Sequence, residues 1–99
     1  MSAIYALMHD DTCIYVGRTT KTIDARMKQR RNHCFNERRK HKKSYNRPLF
    51  IHWRSMENKD DLKVCLLENC DKSIQKQREQ HYINLLKPTC NGRNEIRQI

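Results

Sequence analysis

Two short runs of apolar residues at the start of the chain, residues 2–8 and 13–17, are separated by the polar stretch 9–12. Neither run begins with a helix-capping residue, and both contain the aromatic and β-branched side chains that are typical of strands. A short polar stretch suits a tight connection between neighbouring strands. The pattern therefore predicts a β-hairpin.

The register of this hairpin decides which way its two tyrosines point. A loop centred on Asp10 places Tyr5 opposite Tyr15 on one face of the sheet. A two-residue turn at Asp10 and Asp11 instead pairs Tyr5 with Val16. The sequence is compatible with both registers.

A helix over residues 22–38 is predicted next, because several threonines precede it as candidate N-caps and apolar residues recur at helical spacing. The apolar residues of this stripe are Ile23, Met27 and Cys34, and Arg30 or Arg31 occupies the position between the last two. Residues three and four positions apart share a helix face, so a polar row lies beside this stripe. That row consists of Arg26, Arg30, His33 and Glu37.

The middle of the chain predicts a basic loop over residues 38–45 and then a second helix. Asn46 is a suitable N-cap, and the proline two positions later fits the first turn of a helix that runs to about Met56. We assign Trp53 to the core, because an aromatic residue at this spacing is more often packed than exposed for base stacking.

Alternating residues over 62–67 predict a third strand, and a third helix is predicted over 74–86 with Ser73 as its cap. Pro88 ends this helix, and a turn at 90–92 precedes a polar tail. Together these elements predict an α+β fold with a small three-stranded antiparallel sheet, made of the hairpin and one later strand, flanked by three helices. We expect residues 1–99 to form a single domain.

Glu79 lies in line with Ile83 and Leu86 on the third predicted helix, since spacings of four and seven share a face. An acid that served only as a solvated surface group would normally lie out of register with apolar positions. Glu79 is therefore a candidate for a functional carboxylate.

Positive charge is concentrated in the second third of the chain. Residues 18–54 contain 13 Lys or Arg and two acids, whereas the rest of the chain is close to neutral. This distribution predicts a polyanion-binding surface, and nucleic acid is the polyanion that suits it best. The region lacks the broad apolar face of a helix that lies on a membrane, so we expect no membrane partner.

Five cysteines occur, an odd number without the paired spacing of a disulfide framework or a zinc finger. We expect reduced thiols, with Cys65, Cys70 and His81 as a weaker zinc alternative. No signal peptide or membrane-spanning run is recognisable, so we expect an intracellular protein that is not secreted.

Several short pieces of the sequence occur in a characteristic order. They are Ile4-Tyr5, Tyr15-Val16-Gly17, Arg26, the run 78–83, the run 85–88, and Asn91. In this order and spacing they resemble the GIY-YIG nucleases, over about residues 3–92. Each piece alone is common, whereas the ordered set is specific. The resemblance implies the same α+β fold and a metal-dependent endonuclease that hydrolyses phosphodiester bonds.

The resemblance also implies roles for individual residues. Tyr5 would be the general base or would position the attacking water, and Tyr15 would orient water or phosphate. Arg26 would contact the scissile phosphate, and Glu79 would bind one divalent cation, Mg²⁺ or Mn²⁺. Asn91 would brace the site by hydrogen bonding. This mechanism requires both tyrosines to reach the same face as Arg26 and Glu79.

The sequence departs from the family pattern at two places. Ala3 replaces the first glycine of the motif, and Arg30 stands where the family often has His or Tyr one turn after the motif arginine. His33, seven residues after Arg26, lies on the same helix face and is our further catalytic candidate, while Arg30 could act by lowering a tyrosine pKa.

Several basic residues of the central region, together with Asn91, are expected to contact nucleic acid, which we expect to be double-stranded DNA. They are Arg18, Arg30, Arg31, Lys40, Lys42, Lys43, Arg47 and Asn91. Specificity would come from the loop 38–47, from a homodimer, or from a partner protein. The alternative function is a non-catalytic basic nucleic-acid-binding module or a subunit of a larger nucleic-acid-processing complex.

Overall fold

The first two strands form the predicted hairpin. The structure is a computed structural model that describes residues 1–91, apart from the side chain of Ser44, so Gly92 and the predicted polar tail lie outside the described residues. Strand β1 (Ser2–His9) and strand β2 (Thr12–Thr19) are antiparallel and joined by a two-residue turn. Both turn residues, Asp10 and Asp11, have positive φ, 50° and 63°, which fits the twist of the strands.

A β-bulge in β2 changes the strand pairing beyond the turn. Ile14 is an extra residue in β2. Tyr15 therefore pairs with Leu7, whereas the two-residue turn alone would pair it with Ala6. Tyr5 therefore lies opposite Gly17, and the predicted pairings of Tyr5 with Tyr15 and with Val16 are both wrong.

Strand β3 (Lys63–Cys70) pairs antiparallel with β1, so the order in the sheet is β2-β1-β3. It is longer than the predicted span 62–67, because its last residues continue the ladder as far as the pair Ser2 and Cys70. The predicted three-stranded antiparallel sheet, built from the hairpin and one later strand, is confirmed.

Helix α1 (Ile23–Phe35) starts where the threonines predicted it, since the Thr22 hydroxyl accepts a hydrogen bond from the Ala25 N–H at 3.1 Å. It ends three residues earlier than predicted. Asn36 has an extended backbone, and its side chain accepts a hydrogen bond from Arg38 N–H at 3.1 Å. This bond starts a 3₁₀ turn in place of a further helical turn.

Helix α2 (Pro48–Ser55) begins after a basic segment that contains two 3₁₀ turns, Glu37–Arg39 and Lys43–Asn46. The N-cap is Arg47, with an extended backbone, and the prediction of Asn46 was wrong by one residue. The reason is local, because the residue before a proline is sterically excluded from the helical region.

Helix α3 (Gln75–Leu86) follows a 3₁₀ turn, Lys72–Ile74, that Asp71 caps through the N–H of Ser73 at 3.2 Å. Ser73 itself is not the cap, so that prediction was wrong. At the far end, Lys87 has a left-handed backbone with φ 49° and closes the helix just before the predicted stop at Pro88.

The helices cover both faces of the sheet. Helices α1 and α2 pack on the face that carries Tyr5, and α3 packs on the face that carries Ile4. The larger core consists of Tyr5, Leu7, Ile14, Cys34, Leu49, Phe50, Trp53, Met56 and Cys90. The smaller core consists of Ile4, Val16, Cys70 and Ile83.

The predicted core role of Trp53 is confirmed. Its side chain is 2% exposed, and its indole N–H donates a hydrogen bond to the Lys59 carbonyl at 3.0 Å. Within residues 1–91, no helix is both long and apolar enough to cross a bilayer. All five cysteines are free thiols.

Candidate active site

The bulge in β2 brings the two motif tyrosines to one face of the sheet. Tyr5 is fully buried and Tyr15 half-buried, and their ring centroids lie 6.4 Å apart at 44°. A Cβ atom on Gly17 would lie 2.6 Å from the Tyr5 Cζ and Oη atoms and 2.8 Å from Tyr15 Cε2. A side chain at position 17 would therefore have to displace at least one of the two rings.

Helix α1 supplies two arginines to the same face. Arg30 is only 7% exposed, since it completes the apolar stripe that faces the sheet. Its Nη2 donates a hydrogen bond to the Tyr15 hydroxyl at 3.0 Å, and its guanidinium carbon lies 5.4 Å from the Tyr15 ring centroid. Arg26, one turn earlier, donates from Nη1 to Gln29 at 2.7 Å.

Three buried polar atoms at this place lack hydrogen-bond partners among the described residues. They are the Tyr5 hydroxyl, Arg26 Nε and Arg30 Nε. Leaving a buried polar group unpaired costs about 1–3 kcal/mol, so such atoms are uncommon in a folded protein. Two of these atoms belong to guanidinium groups, which bind phosphate oxygens well. The arrangement suits a bound anion.

Burial raises the pKa of the Tyr15 hydroxyl above its ordinary value, and this effect outweighs the opposing effect of the Arg30 charge. Because Arg30 donates to the Tyr15 oxygen, the hydroxyl hydrogen of Tyr15 can point elsewhere. Tyr15 is thus a hydrogen-bond donor at neutral pH, which fits a role in orienting water or phosphate.

His33 lies in the last turn of α1, within a cluster of arginines. Burial lowers its pKa first, and the charges of Arg39, Arg30, Arg26 and Arg47 lower it further. The imidazole is therefore neutral at pH 7 and can accept a proton.

Glu79 reaches the site from the other face of the sheet. It lies on α3 and accepts a hydrogen bond on Oε1 from Arg18 Nη1 at 3.0 Å. Strand β2 is an edge strand, and the Glu79 charge raises the pKa of Tyr15 on the opposite face. The expectation that all four motif residues share one face was wrong, because α3 packs on the face that carries Ile4. The effect of the Glu79 charge on the Tyr15 pKa nevertheless indicates that the two side chains lie near each other at the edge strand β2.

A second ion pair holds α3 against β3 next to Glu79. Arg78 donates two hydrogen bonds to Glu68, at 2.8 and 2.7 Å, and the Tyr82 hydroxyl donates to the same carboxylate at 3.0 Å. The Arg78 guanidinium holds the pKa of the Glu68 carboxyl below its ordinary value. Sequence reasoning missed the role of Glu68, for which the only signal was an acid inside an apolar strand.

Asn91 braces the strand that carries Tyr15. Its side-chain oxygen accepts from Val16 N–H, and its side-chain nitrogen donates to the Val16 carbonyl, both at 2.9 Å. The side chain is buried and substitutes for a neighbouring strand along the outer edge of β2. This geometry matches the bracing role.

A sequence comparison gives the family. The family model described as GIY-YIG catalytic domain matches residues 1–94 of the chain. The chain belongs to the GIY-YIG family. No curated protein and no solved structure matches it significantly. Membership confirms the resemblance and places the chain in a family of nucleases, which act on nucleic acid and generally use divalent metal ions.

Glu79 is the only carboxylate among the residues predicted for the site, and this limits how a metal could be held. Within residues 1–91, no group of three or more His, Cys, Asp or Glu side chains is arranged to hold a metal ion. The zinc alternative at Cys65, Cys70 and His81 was therefore wrong. Mg²⁺ often binds through one or two carboxylates with water and substrate phosphate oxygens. Glu79 fits this mode and would hold such an ion weakly by itself.

The remaining basic residues predicted to contact nucleic acid are spread over a wide surface. Arg31 is paired with Asp60 at 3.3 Å, and Lys40 lies 3.9 Å from Glu37. Lys42 and Lys43 are exposed in the basic segment. Arg47 lies at the start of α2, and its charge lowers the pKa of Tyr15. Only Arg18, Arg30 and Arg47 are thus shown by contacts or charge to lie near the motif residues.

Proposed function

We propose that the chain is a metal-dependent endonuclease that hydrolyses phosphodiester bonds of double-stranded DNA, and that residues 1–99 act as a single intracellular domain. The observation that supports this most strongly is the set of three unpartnered polar atoms on Tyr5 and on two arginines one turn apart on α1, Arg26 and Arg30. A phosphodiester with its attacking water would supply partners for all of them.

In the proposed reaction, the oxygen of a water forms a bond to phosphorus while the bond to one ester oxygen breaks. Arg26 and Arg30 neutralise the phosphate oxygens that gain charge, an effect that is strong where water is excluded. The Tyr5 hydroxyl positions the water, and Tyr15 donates a hydrogen bond to water or phosphate. The neutral His33 imidazole accepts the proton of the water, directly or through the Tyr5 hydroxyl, and the leaving ester oxygen takes up a proton from solvent. A divalent cation at Glu79 would supply further positive charge to the phosphate.

The catalytic proposal is tested by incubating supercoiled plasmid, linear duplex, branched DNA and RNA with the protein, with and without Mg²⁺. We expect Mg²⁺-dependent cutting that Glu79→Ala, Arg26→Ala and Tyr5→Phe each slow by at least about 100-fold while binding survives. Glu57→Ala and Lys72→Ala, both at exposed positions outside the basic segment, are matched controls and should cut normally. Undiminished cutting by Glu79→Ala would refute the mechanism, and no cutting of any substrate would favour the non-catalytic binding module.

Tyr5→Phe also separates a functional hydroxyl from a structural one. Since the Tyr5 hydroxyl is buried without a partner, its removal should leave the free energy of unfolding unchanged or raise it by about 1 kcal/mol. A loss of cutting together with unchanged or higher stability is the expected result. A clear loss of stability would show that the hydroxyl has a structural partner.

The basic segment is proposed to bind the DNA backbone. Replacing Lys40, Lys42 and Lys43 by Gln should weaken binding and reduce the slope of log affinity against log salt by about 2–3. The matched control replaces three exposed lysines outside the basic region, Lys63, Lys72 and Lys76. Equal slopes in the two triple variants would contradict the placement of the binding surface.

Specificity is proposed to come from the same basic segment, from a homodimer, or from a partner protein. Cutting both strands of a duplex with one site needs either two copies or two successive nicks. The plasmid assay separates these two routes, because successive nicking passes through an open-circular product. Sedimentation of the protein with the duplex then shows whether one or two copies bind.

A further inference from the structure

The contact between Arg18 and Glu79 joins two residues that were expected to act separately. Arg18 follows Gly17 on β2, pairs with Ile4, and faces α3. Its Nη1 lies 3.0 Å from Glu79 Oε1, and the two side chains are only 33% and 21% exposed. The carboxylate that we propose as the metal ligand is therefore already neutralised by a cation of the protein itself.

A guanidinium and a divalent cation compete for the same carboxylate oxygen. Both are positive, and the Oε1 atom that accepts from Arg18 is one of the two oxygens that a metal ion could use. A phosphate group is the alternative partner for Arg18, since guanidinium groups bind phosphate as readily as carboxylate. Binding of nucleic acid to Arg18 would thus leave Glu79 available to a metal ion.

We infer that Arg18 is an internal counter-cation that occupies Glu79 until nucleic acid binds, so that phosphate and metal ion enter the site cooperatively. This inference rests on the proposed function, because it takes Glu79 to be the metal ligand. Before nucleic acid binds, the Arg18 guanidinium donates a hydrogen bond to the half-buried Glu79 carboxylate. In the complex Arg18 moves to the phosphate and the metal ion takes its place.

The size of the effect follows from the exposure of the pair. An ion pair between partly exposed groups contributes up to about 1 kcal/mol, which corresponds to about a fivefold change in an equilibrium constant. The pair should therefore weaken metal binding about fivefold in the absence of nucleic acid. Coupling of this size lies at the lower end of the usual range between linked binding sites.

The experiment measures Mn²⁺ binding without nucleic acid, from the electron paramagnetic resonance signal of free Mn²⁺. Arg18→Gln should bind Mn²⁺ about fivefold more tightly than the wild type. Arg47→Gln is the control, because it removes an equal charge from an exposed residue whose charge also affects the pKa of Tyr15. It should tighten Mn²⁺ binding by less than about twofold. Thermal unfolding in the same buffer confirms that each variant is folded.

A second measurement adds a phosphorothioate duplex that resists cleavage. The duplex should tighten Mn²⁺ binding by a larger factor in the wild type than in Arg18→Gln, because only the wild type gains from the release of Arg18. Two results without nucleic acid would overturn the inference while leaving the proposed nuclease intact. One is an unchanged Mn²⁺ affinity in Arg18→Gln, and the other is an equal gain in Mn²⁺ affinity in Arg18→Gln and Arg47→Gln. Unchanged Mn²⁺ affinity in Glu79→Gln would instead overturn the metal role of Glu79 itself.

Discussion

Substitution of Gly17 by alanine tests the packing of the tyrosine pair most directly. The added Cβ would lie 2.6 Å from the Tyr5 ring and 2.8 Å from the Tyr15 ring. Ordinary contacts between carbon atoms are about 3.5–4.0 Å, so the Tyr5 ring must move by about 1 Å. Tyr5 is fully buried in the larger core and cannot move without disturbing its neighbours.

Two opposing effects set the change in stability. Overpacking of a buried site costs about 1–3 kcal/mol. Replacing glycine by alanine in a strand restricts the unfolded chain and returns about 0.5–1 kcal/mol. Gly17 does not have a positive φ, so no backbone strain is added. We expect Gly17→Ala to lower the free energy of unfolding by about 1–2 kcal/mol.

The effect on catalysis should be larger than the effect on stability. A displacement of about 1 Å in a catalytic group can reduce the rate about 100-fold. The assays are urea unfolding and single-turnover cleavage of a duplex at saturating Mg²⁺. Thr12→Ala, an exposed position on the same strand, is the control and should stay within about 0.5 kcal/mol of the wild type. A Gly17→Ala protein that is more stable than the wild type and fully active would refute this account of the site.

Two further predictions concern the support of the site and its pH dependence. Asn91→Ala removes both hydrogen bonds to the backbone of Val16, and we expect thermal unfolding to show a loss of about 2–3 kcal/mol; a loss below about 0.5 kcal/mol would mean that water replaces the side chain. Burial and neighbouring charge lower the pKa values of His33 and His52 in the folded protein below the ordinary value of 6.5. The unfolded chain therefore binds protons more readily than the folded protein does. We expect the free energy of unfolding to fall as the pH drops below 6.5. Urea unfolding between pH 5 and 8 should show a smaller pH dependence in His33→Gln and His52→Gln, and unchanged curves would contradict the assigned burial.

The sequence was sufficient for the elements that depend on local pattern. Apolar runs separated by a polar turn predicted the hairpin, alternation predicted the third strand, and helical spacing with capping residues predicted all three helices. Errors occurred at the ends. Asn36 ends α1 through its own side-chain bond, and Pro48 shifts the cap of α2 to Arg47. Several residues could have capped each helix, and a side-chain bond in α1 and the steric effect of proline in α2 chose among them.

The candidate site was predicted as a set of residues but not as an arrangement. The order of Tyr5, Tyr15, Arg26, Glu79 and Asn91 along the chain was enough to indicate the family, which the family comparison confirms. Their roles remain proposals. Asn91 illustrates the difference, since its place in the order was recognisable whereas its double bond to Val16 depends on how the chain returns to the edge of β2.

The sequence by itself determined which elements form, where the positive charge lies and to which family the chain belongs, because these depend on residue type, spacing and order. The tertiary structure decided the register and the contacts between distant residues. One extra residue, Ile14, turns Tyr15 to the face of Tyr5. The packing of α3 on the other face, which Arg18 also faces, brings Glu79 to Arg18. Such contacts depend on the relative positions of whole elements, which a local pattern does not specify.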